Sequence, residues 1–440
     1  AFHYREKNYS GAAMNQLEAI LEKRQEINDT YHIETLGQPV LTHSMADIQT
    51  YYQPLAKILK APAQNLLEEI KRSGLRGRGG AGFPMGVKLE FCSKSEGDKK
   101  FIICNADEGD PGAFSDRYLL EKQPHSVLFG MLVAGYVSGA NYGILYIRAE
   151  YPESVASIEK AIQELDQHQL LGENILGSGF SFQFKVIKAQ GAYICGEESA
   201  LINSIEGQRP EVRTRPPYPA QYGLFGKPTT VSNVETLASL HFICEKGGQV
   251  YADMGTALST GTKLLSLDSH FHRPGIYEVE MGTPLIEVME AAGGFKTPVK
   301  AMHIGGPLGG LVPSEKFKDL TIDFESFRSQ GFLLGHGSII CIPASMPIIH
   351  YLRHLFEFAA HESCGKCFPC RLGTKRAEEM LEKAIHEDYQ IDRELFDDLI
   401  HTLETGSLCA HGGGIPLPVK NALQYFEVEL TSHFTNTVNV

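Results

Sequence analysis

Four cysteines carry the sharpest chemical signal in the chain. Cys364, Cys367 and Cys370 follow one another with two residues between each, and Cys409 follows about forty residues later. A [4Fe–4S] cubane takes one thiolate per iron, so a short loop can cap three corners while a distant cysteine closes the fourth. Zinc also accepts four sulfurs, but its sites usually divide the ligands into two close pairs. A tight trio plus one distant residue therefore favours iron–sulfur; zinc and unliganded buried thiols stay open as alternatives. Cys92, Cys104, Cys195, Cys244 and Cys341 lie in apolar or strand-like contexts and read as small core residues.

A second signal is Gly77-Arg78-Gly79-Gly80-Ala81-Gly82, a G-x-G-x-x-G match. The dinucleotide fingerprint needs a strand before the loop, a helix after it and an acid about 20 residues on. Here the helical segment 65–73 precedes the loop, so the usual Rossmann placement fails. The physical use of the glycines survives that failure. They let backbone approach a phosphate or an aromatic ring closely, and Arg76, Arg78 and Lys88 add positive charge. A purely structural turn would use the same residues.

Two acidic turns follow strand-like segments, at 105–110 (NADEGD) and 193–198 (YICGEE). In open α/β sheets the ligand sits at the carboxyl ends of strands, where both turns fall. Carboxylates there can accept hydrogen bonds from ribityl or ribose hydroxyls, and Asn105 can bond a flavin edge. Solvated acidic loops are the alternative for each.

The elements that must hold these groups alternate. Strands are expected at 101–104, 143–149 and about 181–188, with helices at 65–73, 117–138 and 152–166. That alternation points to an α/β domain with a parallel sheet over 51–250, after an N-terminal extension at 1–50. Residues 251–335 become short apolar runs punctuated by Gly and Pro, a small α+β module with one helix at 285–292. From 348 onward apolar faces recur with helical period at 348–360, 373–386, 393–404 and 416–426, so 336–440 reads as a helical bundle.

Bulk properties narrow the function. The chain has 440 residues, 42% hydrophobic and 21% charged, as expected of several globular domains. A net charge of -13 argues against a nucleic-acid binder. The longest apolar run, 127–137, is too short to span a bilayer, and the charged N-terminus lacks an apolar signal core. An odd, uneven cysteine set fits reduced thiols in a cytoplasmic compartment.

Together these motifs resemble the NADH-binding flavoprotein (51 kDa-type) subunit of respiratory complex I and its relatives, the diaphorase subunits of NAD-reducing hydrogenases and NAD-dependent formate dehydrogenases. The resemblance rests on eight blocks in the family's order: 73–88, 104–114, 146–152, 191–201, 206–220, 226–236, 362–374 and 406–413. It implies a Rossmann-like FMN and NADH domain, a β-grasp-like module and a C-terminal bundle carrying the cluster. FMN would be held by Gly77, Arg78, Gly79, Lys88, Asn105, Asp107, Glu108, Tyr193, Gly196, Glu197, Ser232 and Asn233. NADH would stack near Phe83, with Lys88, Phe91, Asp110, Glu198 and Tyr218 lining its site. Cys364, Cys367, Cys370 and Cys409 would ligate the cluster.

The resemblance further implies NADH:acceptor oxidoreductase chemistry. NAD(H) exchanges a hydride with FMN, and electrons pass singly to the [4Fe–4S] cluster. Glu198 is the expected catalytic residue, discouraging overly tight dinucleotide binding and shaping the flavin's field. Expected partners are a thioredoxin-like [2Fe–2S] subunit and a larger catalytic component (formate dehydrogenase, hydrogenase or the complex I peripheral arm), with no membrane insertion of this chain. In complex I the location would be peripheral, on the cytoplasmic or matrix side. A stand-alone NAD(P)H diaphorase or ferredoxin-linked enzyme is the alternative, and a zinc-stapled dinucleotide sensor a remoter one. Some departures exist. Ser232 stands where the family usually has Asn, Ser199 where Thr is common, and 410–414 is looser than the usual stretch. Residues 1–50 contain no cysteine, so the N-terminal [2Fe–2S] domain of some relatives is not expected.

Overall fold

A computed structural model describes residues 2–4, 7–9, 31–45 and 47–435. Strands β1 (Phe2–Tyr4) and β2 (Lys7–Tyr9) pair antiparallel. Strand β3 (Ile33–Leu36) belongs to a sheet built mostly from much later residues.

The first large sheet has four parallel strands, β4 (Phe101–Ala106), β5 (Tyr142–Arg148), β6 (Gln183–Ala189) and β7 (Thr229–Asn233), in the order β6-β5-β4-β7. Both faces are covered, which is why β4 and β5 read as nearly continuous apolar runs. The helix Pro124–Ser138 packs into that covering and is apolar all round, from Val127 to Val137. Its Gly130 lies so close to Leu237 that an added Cβ would sit 1.9 Å from the Leu237 carbonyl oxygen, so glycine is required there. The expected single helix over 117–138 is two, Ser115–Lys122 and Pro124–Ser138, because Pro124 restarts the chain after Gln123. From β4 the chain winds outward through β5 to β6 and then returns to the far side as β7. The reversal leaves a crevice at the carboxyl ends of β4 and β7, the favoured ligand position in such sheets.

The second sheet contains β8 (Thr262–Leu267), β9 (Gly275–Glu280), β10 (Val299–Ile304), β11 (Gly310–Pro313) and β12 (Ser338–Pro343), ordered β11-β10-β12-β8-β9-β3. Two of its strand pairings cross the expected boundaries. Strand β12 pairs antiparallel with β10 and parallel with β8, so the module runs past residue 335 to Pro343. Strand β3 adds to β9, so part of the 1–50 extension belongs to this module. The buried Glu278 carboxylate fixes the chain after β3 by accepting the Val40, Leu41 and Thr42 N–H groups.

The C-terminal region is helical, as its periodicity requires: Ile348–His361, Thr374–His386, Arg393–Gly406 and Pro416–Tyr425. Leu352, Phe356, Leu381, Phe396, Ile400 and Val419 meet in their shared core. Among the described residues, no helix is long and apolar enough to cross a membrane.

Candidate active site and metal centre

A cavity of about 1420 Å³ opens where β4 and β7 end. Its roof is the glycine loop, which joins the helices Ala63–Arg72 and Met85–Lys94. The Gly77 N–H donates to the Phe83 carbonyl at 2.8 Å, closing the loop into a tight hairpin. Gly80 has φ +116° and Gly82 φ +63°, and a Cβ on Gly79 would come within 3.0 Å of the Asn233 side chain. Only glycine lets this backbone run so close to the end of β7.

Charged groups line the walls in compensated sets. Lys88 Nζ donates to the Val231 carbonyl at 2.8 Å and lies 3.3 Å from Glu198 Oε2. Arg215 lies 3.4 Å from Glu198 Oε1 and also pairs with Glu197. The Glu198 carboxylate thus sits between two cations. Glu197 caps the helix Glu198–Ile205 by accepting the Ser199 and Ala200 N–H groups at 2.9 Å. Asn105 donates to the Gly196 carbonyl at 2.9 Å and so ties the two acidic turns together. Asp107 is buried with its Oδ2 lacking a hydrogen-bond partner. Burial pushes its carboxyl up to about 7, against the lowering pull of Arg148. Phe83, Phe91 and Tyr218 stay 46%, 56% and 55% exposed on the cavity's open side. Aromatic faces left bare beside a large cavity offer stacking surface for a planar ligand.

Glu108, Asp116 and His336 also line the cavity, and all three are buried. Glu108 accepts the Asp116 and Arg117 N–H groups at the start of the helix Ser115–Lys122. His336 Nε2 lies 3.2 Å from Asp116 Oδ2 and 3.8 Å from Glu108 Oε1. Burial alone would lower the imidazole, but Asp116 and Glu108 outweigh it and raise His336 to about 9.

The four signal cysteines converge. Cys364 and Cys409 pack against Ile194, Ala200 and Val212, and the Ser363 hydroxyl lies 3.2 Å from Cys370 Sγ. A π-turn, Pro369–Gly373, carries Cys370 into the helix Thr374–His386. Arg209 donates to the Cys364 carbonyl at 3.1 Å and Lys366 pairs with Glu211 at 3.0 Å, holding this loop onto the flavin-side domain. Burial pushes the Cys370 thiol up to about 11 and raises Cys409, while the His411 and Gly412 N–H groups pull Cys409 back down. A single zinc ion with bonds of about 2.3 Å would draw sulfurs to about 3.8 Å apart. Among the described residues, the group that brings three ligand atoms within 4.8 Å is Glu108, Asp116 and His336, not the cysteines. Four thiolates gathered here supply the one ligand per iron that a cubane takes.

Nearly all the residues singled out from sequence meet at the cavity: Gly77, Gly79, Phe83, Lys88, Phe91, Asn105, Asp107, Glu108, Asp110, Tyr193, Gly196, Glu197, Glu198, Tyr218, Ser232 and Asn233. Arg78 does not line the cavity with them. Its side chain is fully buried, donating to the Tyr251 hydroxyl and the Thr260 carbonyl behind the cavity-lining ring of Phe324. Ser232 lines the wall, with its hydroxyl 3.3 Å from Met85 sulfur. Asp116, Arg215 and His336 were missed: no chemical motif marks the first two, and His336 reaches Asp116 across 220 residues. The glycine cradle, the orphaned Asp107 oxygen and the bare aromatic faces all fit a bound flavin and dinucleotide.

Comparison with known proteins agrees with this geometry. Residues 70–241 match the family model described as the Nuo51 FMN-binding domain. Residues 350–433 match the NADH-ubiquinone oxidoreductase-F iron-sulfur binding region, and 272–311 match an SLBB domain. The chain is 40% identical over 386 residues to the HndC component of the NADP-reducing hydrogenase of Solidesulfovibrio fructosivorans, covering 87% of this chain and 78% of that protein. It is 38% identical over 387 residues to the F 2 component of the NADH-quinone oxidoreductase of Rhizobium meliloti (strain 1021), covering 87% and 92%. A chain in the crystal structure of an NAD+-reducing [NiFe]-hydrogenase in the air-oxidized state superposes with a TM-score of 0.83 at 31% identity, over 98% of this chain and 74% of that one. A cavity fit for flavin beside four converging cysteines is thus this family's own pairing: the chain belongs to the Nuo51 family of NADH-quinone oxidoreductases and their hydrogenase relatives, the NADH-binding FMN flavoproteins with a [4Fe–4S] region.

Proposed function

We propose that this chain is the electron-entry unit of a larger assembly, exchanging a hydride with NAD(H) in the β4–β7 cavity and passing electrons singly through the cysteine centre to partner subunits. One observation carries the reading. Cys409 and His411 line the same cavity as Lys88 and Glu198, so a cluster ligand forms part of the flavin site's wall. Bound FMN would supply the conversion between two-electron and one-electron chemistry. The chain's own residues bind and orient: the Gly77–Gly82 backbone, Asn105, Asp107 and Asn233 hold the flavin. Phe83, Phe91 and Tyr218 stack the dinucleotide. Glu198, between Lys88 and Arg215, sets the charge beside it.

The proposed immediate partner is a thioredoxin-like [2Fe–2S] subunit, with the assembly lying on the cytoplasmic or matrix side. Phe368, Leu372 and Leu408 support an exit face. They are 68%, 58% and 48% exposed next to the cysteine ligands, an apolar patch suited to a receiving protein. Anaerobic addition of NADH to purified protein tests the whole reading: flavin absorbance should bleach and a reduced-cluster electron paramagnetic signal should appear. Colourless, iron-free protein would overturn it.

A further inference from the structure

Hydride transfer leaves a charge problem that the buried triad is placed to answer. NADH gives up two electrons and one proton as hydride; its C–H bond breaks, an N–H bond forms on the flavin, and NAD+ leaves. The cavity then holds one more negative charge than before. Charge added inside a low-dielectric cavity raises the proton affinity of buried acids around it.

Glu108, Asp116 and His336 form such a group on the cavity wall. They come from the loop after β4, the helix Ser115–Lys122 and the turn before β12, and are 5%, 2% and 6% exposed. Two carboxylates share one imidazole, and Asp110 adds a third, half-buried acid that feels both His336 and Asp116. Lys263 opposes His336 but is committed to Glu235 in a fully buried pair, while Tyr151 donates to Glu108 Oε2 at 3.1 Å and Arg148 donates to the Glu108 carbonyl. Asp116 Oδ1 and His336 Nδ1 are buried with no hydrogen-bond partner. The group therefore sets two buried carboxylates against one imidazolium, with Asp116 Oδ1 unpartnered. Burial raises the Glu108 and Asp110 carboxyls, and the carboxylates raise His336. A divalent cation is the rival occupant, since the three ligand atoms lie within 4.8 Å. Each already has a partner, however: Glu108 Oε1 takes the Asp116 N–H at 2.9 Å, Asp116 Oδ2 takes Asn233 Nδ2 at 2.6 Å, and His336 Nε2 faces that same oxygen. A proton fits without breaking these bonds.

We propose that the Glu108–Asp116–His336 group is a redox-linked proton site: it takes one proton from solvent when hydride reaches the flavin cavity and returns it as the two electrons leave through the cluster. The proposal rests on flavin reduction occurring in this cavity. Reductive titration of the FMN-loaded protein between pH 7 and 9 tests it. Hydride alone brings one proton per two electrons, about 30 mV per pH unit; uptake of a second doubles that slope. The wild type should show the doubled slope. Asp116→Asn and His336→Gln should return it toward the single-proton value with flavin still bound. Reduction-minus-oxidation infrared spectra should gain a protonated-carboxyl band that Glu108→Gln or Asp116→Asn removes. A single-proton slope and no carboxyl band in the wild type overturn the proposal, whatever the variants do. So does a doubled slope that both variants keep, which would place the proton on the flavin itself, or a slope that depends on added Mn2+. Protein that binds no FMN overturns the underlying reading as well.

Discussion

Ile194 packs against Cys409, and both line the flavin cavity. Its neighbours Tyr193 and Gly196 line the same cavity. One short turn therefore touches the wall of the two-electron site and the ligand loop of the one-electron site. That contact is the physical basis for treating the two centres as one device, and the following predictions probe its parts separately.

Removing a ligand should separate the centres. Cys367→Ala should abolish cluster absorbance while leaving bound flavin and NADH–ferricyanide activity largely intact, because the flavin domain has its own core around Val127–Val137. Iron content and flavin content measured on the same preparation decide it. Simultaneous loss of both would mean that the loop at 362–374 is needed to fold the cavity.

Glu198 lies between Lys88 at 3.3 Å and Arg215 at 3.4 Å. Glu198→Gln leaves Lys88 without its carboxylate and Arg215 with Glu197 alone, beside the dinucleotide's phosphates. Binding of NAD+ should tighten by roughly tenfold, about 1.4 kcal/mol. Equilibrium titration and the flavin's midpoint potential are the readouts; no change in either would remove Glu198 from the mechanism.

Arg78 is expected to act on stability rather than on ligand. Its guanidinium bonds the Tyr251 hydroxyl and the Thr260 carbonyl behind the cavity-lining ring of Phe324. Arg78→Met should lower unfolding free energy by about 3 kcal/mol, the order seen when one partner of a buried polar set is removed. Flavin affinity in the surviving folded protein should be near wild type. A selective loss of FMN without loss of stability would restore the ligand role expected from the sequence.

Two groups make the flavin-free fold less stable as pH rises. Asp107 has a folded value of about 7 against an ordinary 3.8, so its buried carboxyl costs progressively more between about pH 4 and pH 7. His336 is raised from 6.5 to about 9; its contribution is full below about 6.5 and lost as pH passes 9. Thermal unfolding should accordingly fall across pH 5–9.5. Asp107→Asn should remove the lower part of that decline and His336→Gln the upper part. Stability that rises through this range would contradict both assignments.

Local pattern was enough for much of this molecule. Helical periodicity placed the C-terminal helices within a residue or two, because each buries one apolar stripe and ends where that stripe ends. Cysteine spacing and the glycine and acidic turns marked the site, since ligands and close backbone approaches demand particular residue types. What no local signal carried was pairing across the chain. Strand β3 joins β9 some 240 residues on, β12 completes a sheet beyond its expected boundary, and His336 reaches Asp116 across 220 residues. The direction of Arg78 was equally hidden, because a G-x-G loop looks the same whether its intervening side chain faces ligand or core. Residue type and spacing determined which chemistry this chain can perform; long-range packing decided which groups face the cavity, because burial and charge pairing exist only once distant segments meet.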